Sequence, residues 1–216
     1  MNNINHMNKR ANAFLVYLRH FFYIIGLFCL MFLQYKIASI HRDKTFDEFG
    51  CIENLQVLIL ICCFILFIIS IITNKKFLPL ILIFNSLILL CIFREMDNYF
   101  DNVIPVVSWK IAFVFVFIVL GYAMKKKQLL IDDIVEFSTM SSFYLMEGAI
   151  FIILPCAQLI GHKPFLANIL IKCNSLGAIK ELFEESAETL GYFILLCATI
   201  EWNINLKVNK KILLKT

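Results

Sequence analysis

From Asn54 to Thr73 the chain carries no charged residue, and after the basic step Lys75-Lys76 it runs apolar again from Phe77 to Phe93. A helix needs about 17–25 apolar residues to cross a bilayer core. In lipid every backbone polar group must be satisfied within the segment, which leaves helices as the fold for runs of this kind. The composition agrees: 61% of the residues are hydrophobic and 17% charged, with a mean hydropathy of +0.81. Soluble domains sit nearer to about 45–50% apolar and 25% charged. The sequence therefore predicts an all-α integral membrane protein.

Six spans are expected, at about residues 14–35, 52–73, 77–100, 108–124, 139–160 and 182–202, joined by short loops in a single polytopic domain. The first block is broken by Arg19-His20, and Arg19 can reach back to the headgroups. A signal peptide cleaved near Ile37-Ala38-Ser39 competes with this reading, but the apolar block extends back to Phe14 and favours a retained helix. Gln128 to Ser138 carries Asp132, Asp133 and Glu136 among apolar residues and reads as a short amphipathic helix on the membrane surface. Pro155 is expected to kink the fifth span. Phe165 to Ile171 is too short to span and reads as an interfacial or re-entrant piece.

An even number of spans puts both termini on one side. That side holds twelve of the twenty Lys and Arg residues, including Lys75-Lys76, Lys125-Lys126-Lys127 and the four lysines of the tail. The positive-inside rule makes it cytoplasmic. The basic residues fall in short clusters between apolar blocks, which argues against a nucleic-acid partner. The Phe-, Ile- and Lys-rich composition is similar to that of small inner-membrane proteins of A+T-rich bacteria, and implies the same location.

Eleven of the sixteen acids fall on the other side. Acids contribute little to orientation, so topology leaves their distribution unexplained. Arg94, Asp97 and Asp101 share one helical stripe, with Glu95 beside them. Glu181, Glu184, Glu185 and Glu188 share another, with Tyr192 one turn deeper, and Glu53 opens the second span. Glu53, Arg94, Glu95, Asp97, Asp101, Glu184, Glu188 and Tyr192 are thus expected to meet near the outer face. Crowded carboxylates around one Arg draw in a proton or a cation; the competing reading makes the Arg–carboxylate contact structural glue between helices.

Glu147 lies inside the fifth span, and Arg19 of the first is its expected partner, more as a bridge than as a pathway acid. Glu201 reads as an interfacial charge. Oxygen-rich sites suit a divalent cation, and Asp97, Glu188 and His162 form a speculative metal set. Cys51 and Cys173 fall in loops on the same side and form a candidate disulfide. No nucleotide-binding, zincin or serine-hydrolase motif is present.

Three functions compete on these grounds. The leading one is non-enzymatic handling or sensing of a cation, proton or small solute. A metal-dependent hydrolase acting on lipid and an accessory or structural subunit are the alternatives. Partners are the bilayer itself and either a second copy of the chain or another membrane protein.

Overall fold

The computed structural model describes residues 2–41, 50–73, 75–97, 110–157, 159 and 176–213. These residues are helical almost throughout, with no strand among them. The helices are α1 (Asn2–His41), α2 (Cys51–Thr73), α3 (Leu78–Glu95), α4 (Lys110–Lys125), α5 (Lys127–Ser138), α6 (Ser141–Phe151) and α7 (Leu176–Leu213). Three stretches are long and apolar enough to cross a membrane: Phe14–Ile37, Cys51–Thr73 and Lys75–Glu95. A fourth results if the bent pair Lys127–Ser138 and Ser141–Cys156 counts as one span.

The chain divides into two compact units, Met1–Arg42 and Asp43–Thr216. The first is α1, whose apolar stretch is exposed along most of its length, with Leu30 the buried exception. It starts at Asn2 rather than at Phe14 and runs unbroken through Arg19-His20 and through Ile37-Ala38-Ser39. The polar start contains no Gly or Pro and so nothing that stops a helix.

In the second unit α2 packs on α3 and α7, α3 packs also on α4, and α7 packs also on α6. The link between α2 and α3 includes the 3-10 turn Lys75–Phe77, so the two helices run antiparallel. Pro79 sits in the first turn of α3, where a missing N–H costs nothing. The break between α4 and α5 falls at Lys126, inside the lysine triplet. Between α5 and α6 the axis turns by 98°, at Thr139-Met140.

The fifth predicted span is shorter as an α-helix than its apolar run. Pro155 has no N–H to donate and would crowd the carbonyl one turn back. The chain responds with a π-turn at Ile152–Cys156, in which the Ala157 N–H donates to the Ile152 carbonyl. Facing this turn is Gly191 of α7, where an added Cβ would stand 2.5 Å from Ile153 Cγ1. Glycine is what lets the two backbones approach.

The last helix departs most from expectation. At 38 residues it extends well past 182–202 at both ends. It lacks an apolar window of the kind that marks α2 and α3. Nevertheless it forms the core of the second unit: Glu188, Thr189, Tyr192, Leu195, Ala198, Thr199, Glu201 and Trp202 are all buried. A helix that faces protein on several sides can carry polar groups that lipid would exclude. Glu201 is one of them. It is fully buried, which corrects its reading as an interfacial charge.

Trp202 is fully buried as well. Its ring lies 4.7 Å from Phe137 of α5, 5.1 Å from Phe77 and 6.1 Å from Phe67 of α2, in edge-on contacts. Such pairs add about 0.5–1.5 kcal/mol each beyond their burial. The aromatic cluster ties α2, α5 and α7 together at one end of the unit. The polar cluster described next lies at the other.

Candidate functional site

Three helix segments build the site: the first turns of α2, the last turn of α3 and the third to fifth turns of α7. Arg94 comes at the end of α3, where a cation complements the helix dipole. Its Nη2 donates to Glu95 Oε1 at 3.0 Å and to Glu188 Oε1 on α7. Tyr192, one turn beyond Glu188, donates its hydroxyl to the same Glu95 oxygen at 2.6 Å. The side chains of Glu95 and Glu188 are only 6% and 3% exposed, whereas that of Arg94 is 37% exposed. Two nearly dry carboxylates therefore share one NH2 group of a half-exposed guanidinium.

A second group adjoins the first through α7. Gln56 of α2 is fully buried, and its Nε2 donates to Glu185 Oε2 at 2.9 Å and to Thr189 Oγ1 at 2.9 Å. Thr189 in turn donates to the Glu185 carbonyl at 2.8 Å. Glu53 and Glu95 are both close enough to Glu185 to repel its charge. α3 and α7 each pack on α2, and at this end they reach one another through the long side chains of Arg94, Glu95, Glu188 and Tyr192.

The structure thus brings together Arg94, Glu95, Glu188 and Tyr192, with Glu184 within electrostatic range of Glu188 and Glu53 within range of the neighbouring Glu185. Asp97 follows the end of α3, half-buried, and its Oδ1 has no hydrogen-bond partner among the described residues. Arg94 turns to Glu95 and Glu188. Asp101, His162 and Cys173 lie outside the described residues. Cys51 is a free, exposed thiol. Arg19 belongs to the first unit and Glu147 to the second, where Glu147 is exposed on α6.

Gln56, Glu185 and Thr189 are the members least visible in the sequence as partners. The one signal was a glutamine inside an otherwise apolar run, a residue type that hydrogen-bonds across membrane helices. Among the described residues no three His, Cys, Asp or Glu side chains gather closely enough to hold a metal ion.

No protein-family model, curated protein or solved structure matches this chain.

Further polar contacts line the same α2–α7 seam. Cys63 lies against Thr199, and Ser70 donates to Asn203 Oδ1 at 2.9 Å. Gln56, Cys63 and Ser70 are spaced by seven, so these rungs recur about every 10 Å along the helix. Ile59, Leu60 and Phe67 are buried between them. Gaps of that size are too long for a proton to pass by direct hydrogen bonds. The rungs fix register along the seam.

Proposed function

We propose that this chain is a multi-pass protein of the bacterial inner membrane that handles or senses a cation, proton or small solute through its Arg94-centred cluster. The observation that carries the reading is the shared Nη2: Glu95 and Glu188 compete for one guanidinium NH2. Arg94 can neutralise one of these carboxylates. The second, together with the neighbouring Glu185, stands in charge excess in a partly dry setting, and a proton or a cation restores the balance. Tyr192 holds Glu95 in place, and Gln56 does the same for Glu185.

Six spans with both termini cytoplasmic accompany this proposal. The three basic clusters support the orientation, and the α5–α6 bend supports an in-plane element between the fourth and fifth spans. α7, shielded by α2 and α6, would serve as the sixth span. The cluster then lies at the periplasmic face.

Purified protein in liposomes should show a pH gradient- or cation-dependent flux, or cation-dependent spectral changes. Glu188→Gln should remove them while the melting curve in detergent stays cooperative. A fully active, folded Glu188→Gln protein would sink the proposal. The accessory-subunit reading draws on a different observation, the heptad-spaced polar rungs, which serve register alone. Under that reading Glu188→Gln changes no flux, and the chain co-purifies with a defined membrane partner.

A further inference from the structure

The turns opposite the Arg94 cluster carry a second surface. α5 departs from α6 at 98°, so if α6 crosses the bilayer, α5 lies along its surface. At 3.6 residues per turn its side chains fall into three arcs. Asp133 and Phe137 are buried against the unit, with Leu130 half-buried beside them. Ile131, Ile134 and Val135 form a second arc and are 51%, 44% and 61% exposed. Asp132 and Glu136 lie on a third, together with the exposed Leu129, while Gln128 falls on the stripe of Val135, seven residues on. An ordinary surface helix has one apolar face, and here the protein already covers one; a second apolar arc needs a second apolar phase.

Charge identifies that phase. Lys125, Lys126 and Lys127 are exposed where α4 gives way to α5, and Lys75 and Lys76 are exposed on the 3-10 turn that packs on α5. Lys76 is engaged with Glu136 of α5 at 2.6 Å. Lys75 and the triplet make no ion pair among the described residues. The lysines also stand where the exposed apolar side of α4, with Val114, Phe117 and Ile118, comes to its end. Such a level in a bilayer is that of the headgroups.

We infer that α5 and the lysines around it form a docking surface for anionic lipid. Ile131, Ile134 and Val135 enter the upper acyl region, and Lys75, Lys125, Lys126 and Lys127 hold the phosphates of anionic headgroups. Asp132 stays in water. The surface is separate from the Arg94 cluster and does not depend on its function.

Two measurements on the full chain test this. Nitroxide labels placed singly at 131, 132, 134 and 135 in vesicles should divide by arc. Positions 131, 134 and 135 should be relaxed by oxygen, and 132 by an aqueous nickel chelate. Uniform aqueous access would overturn the proposal. Secondly, phosphatidylglycerol should raise the melting temperature of the detergent-solubilised protein more than phosphatidylcholine does. The Lys75→Gln/Lys125→Gln/Lys126→Gln/Lys127→Gln protein should melt normally in phosphatidylcholine and lose that rise. A retained rise, or an equal rise with soluble glycerol phosphate, would overturn headgroup recognition. Should the fourfold variant fail to fold, the label pattern on the otherwise native chain decides the outcome.

Discussion

Arg94 and Glu188, 94 positions apart in the chain, meet through a direct ion pair that joins the end of α3 to α7. It is the contact that turns two separate charge clusters in the sequence into one site. The two partners are not equivalent: the acid's side chain is 3% exposed and the base's 37%. Replacing one should not cost what replacing the other does.

Arg94→Ala removes the guanidinium that Glu95 and Glu188 share. Losing one partner of a buried pair costs about 3–5 kcal/mol, and solvent around the half-exposed guanidinium puts this case near the lower end. Glu188→Gln keeps an acceptor for Nη2 and leaves Arg94 balanced by Glu95, so its cost should be about 1 kcal/mol or less. Thermal melts in detergent should rank the two in that order. The reverse ranking would mean that the carboxylates are not the strained members of the cluster.

Gly191→Ala tests the seam between α7 and the π-turn. In an open helix this change would gain about 1 kcal/mol. Here the new methyl would meet Ile153 Cγ1 at 2.5 Å, near the root of a β-branched side chain that cannot swing clear. Overpacking of this kind costs about 1–3 kcal/mol, so the net effect should be destabilising. Ile153→Ala should relieve part of it, and a double-mutant cycle should return a favourable coupling. Strict additivity would place the two residues out of contact.

The rungs of the α2–α7 seam should be unequal. Ser70→Ala removes a hydroxyl bonded to Asn203 and should cost about 0.6 kcal/mol, the usual value for a polar contact between membrane helices. Gln56→Leu strips donors from both Glu185 and Thr189 and leaves a carboxylate without its partner, for about 1–3 kcal/mol. Melting temperatures of the two variants compare them directly. Equal shifts would remove Gln56 from any special place in the site.

How far the sequence could be read depended on what each residue had to reveal. Arg94 and Glu188 stood out because charges at the edge of apolar runs need partners, and partners were scarce. Glu201 was misplaced for the opposite reason. Hydropathy treats every helix as lipid-facing, whereas α7 is shielded by α2 and α6 and buries it. The length of α1, and of α7 beyond residue 202, was missed because helices continue past the apolar boundary where no Gly or Pro stops them. Pro155 pointed to a kink rather than to a π-turn, and Gly191, which packs on Ile153 of that turn, lies on a different helix that a single sequence does not pair with it.

Asp133 gives the pH dependence of the α5 seat. It is 2% exposed, and burial pushes its carboxyl up to about 6, with Glu136 and Asp132 adding to the rise and Lys76 opposing it. A carboxyl with a raised folded-state value binds its proton more tightly when α5 is seated than when it is released. The seat is therefore most stable below the free value near 3.8 and weakens as pH rises toward about 6. Above that window the loss is complete, on the order of 2–3 kcal/mol. Asp133→Asn should flatten this slope between about pH 4 and 6 and raise stability at neutral pH relative to the native chain. Melts across that range, or hydrogen exchange in α5, measure it. If the native seat grew stronger with rising pH instead, the Lys76 charge would outweigh burial, and Asp133 would be held as an ion rather than as an acid.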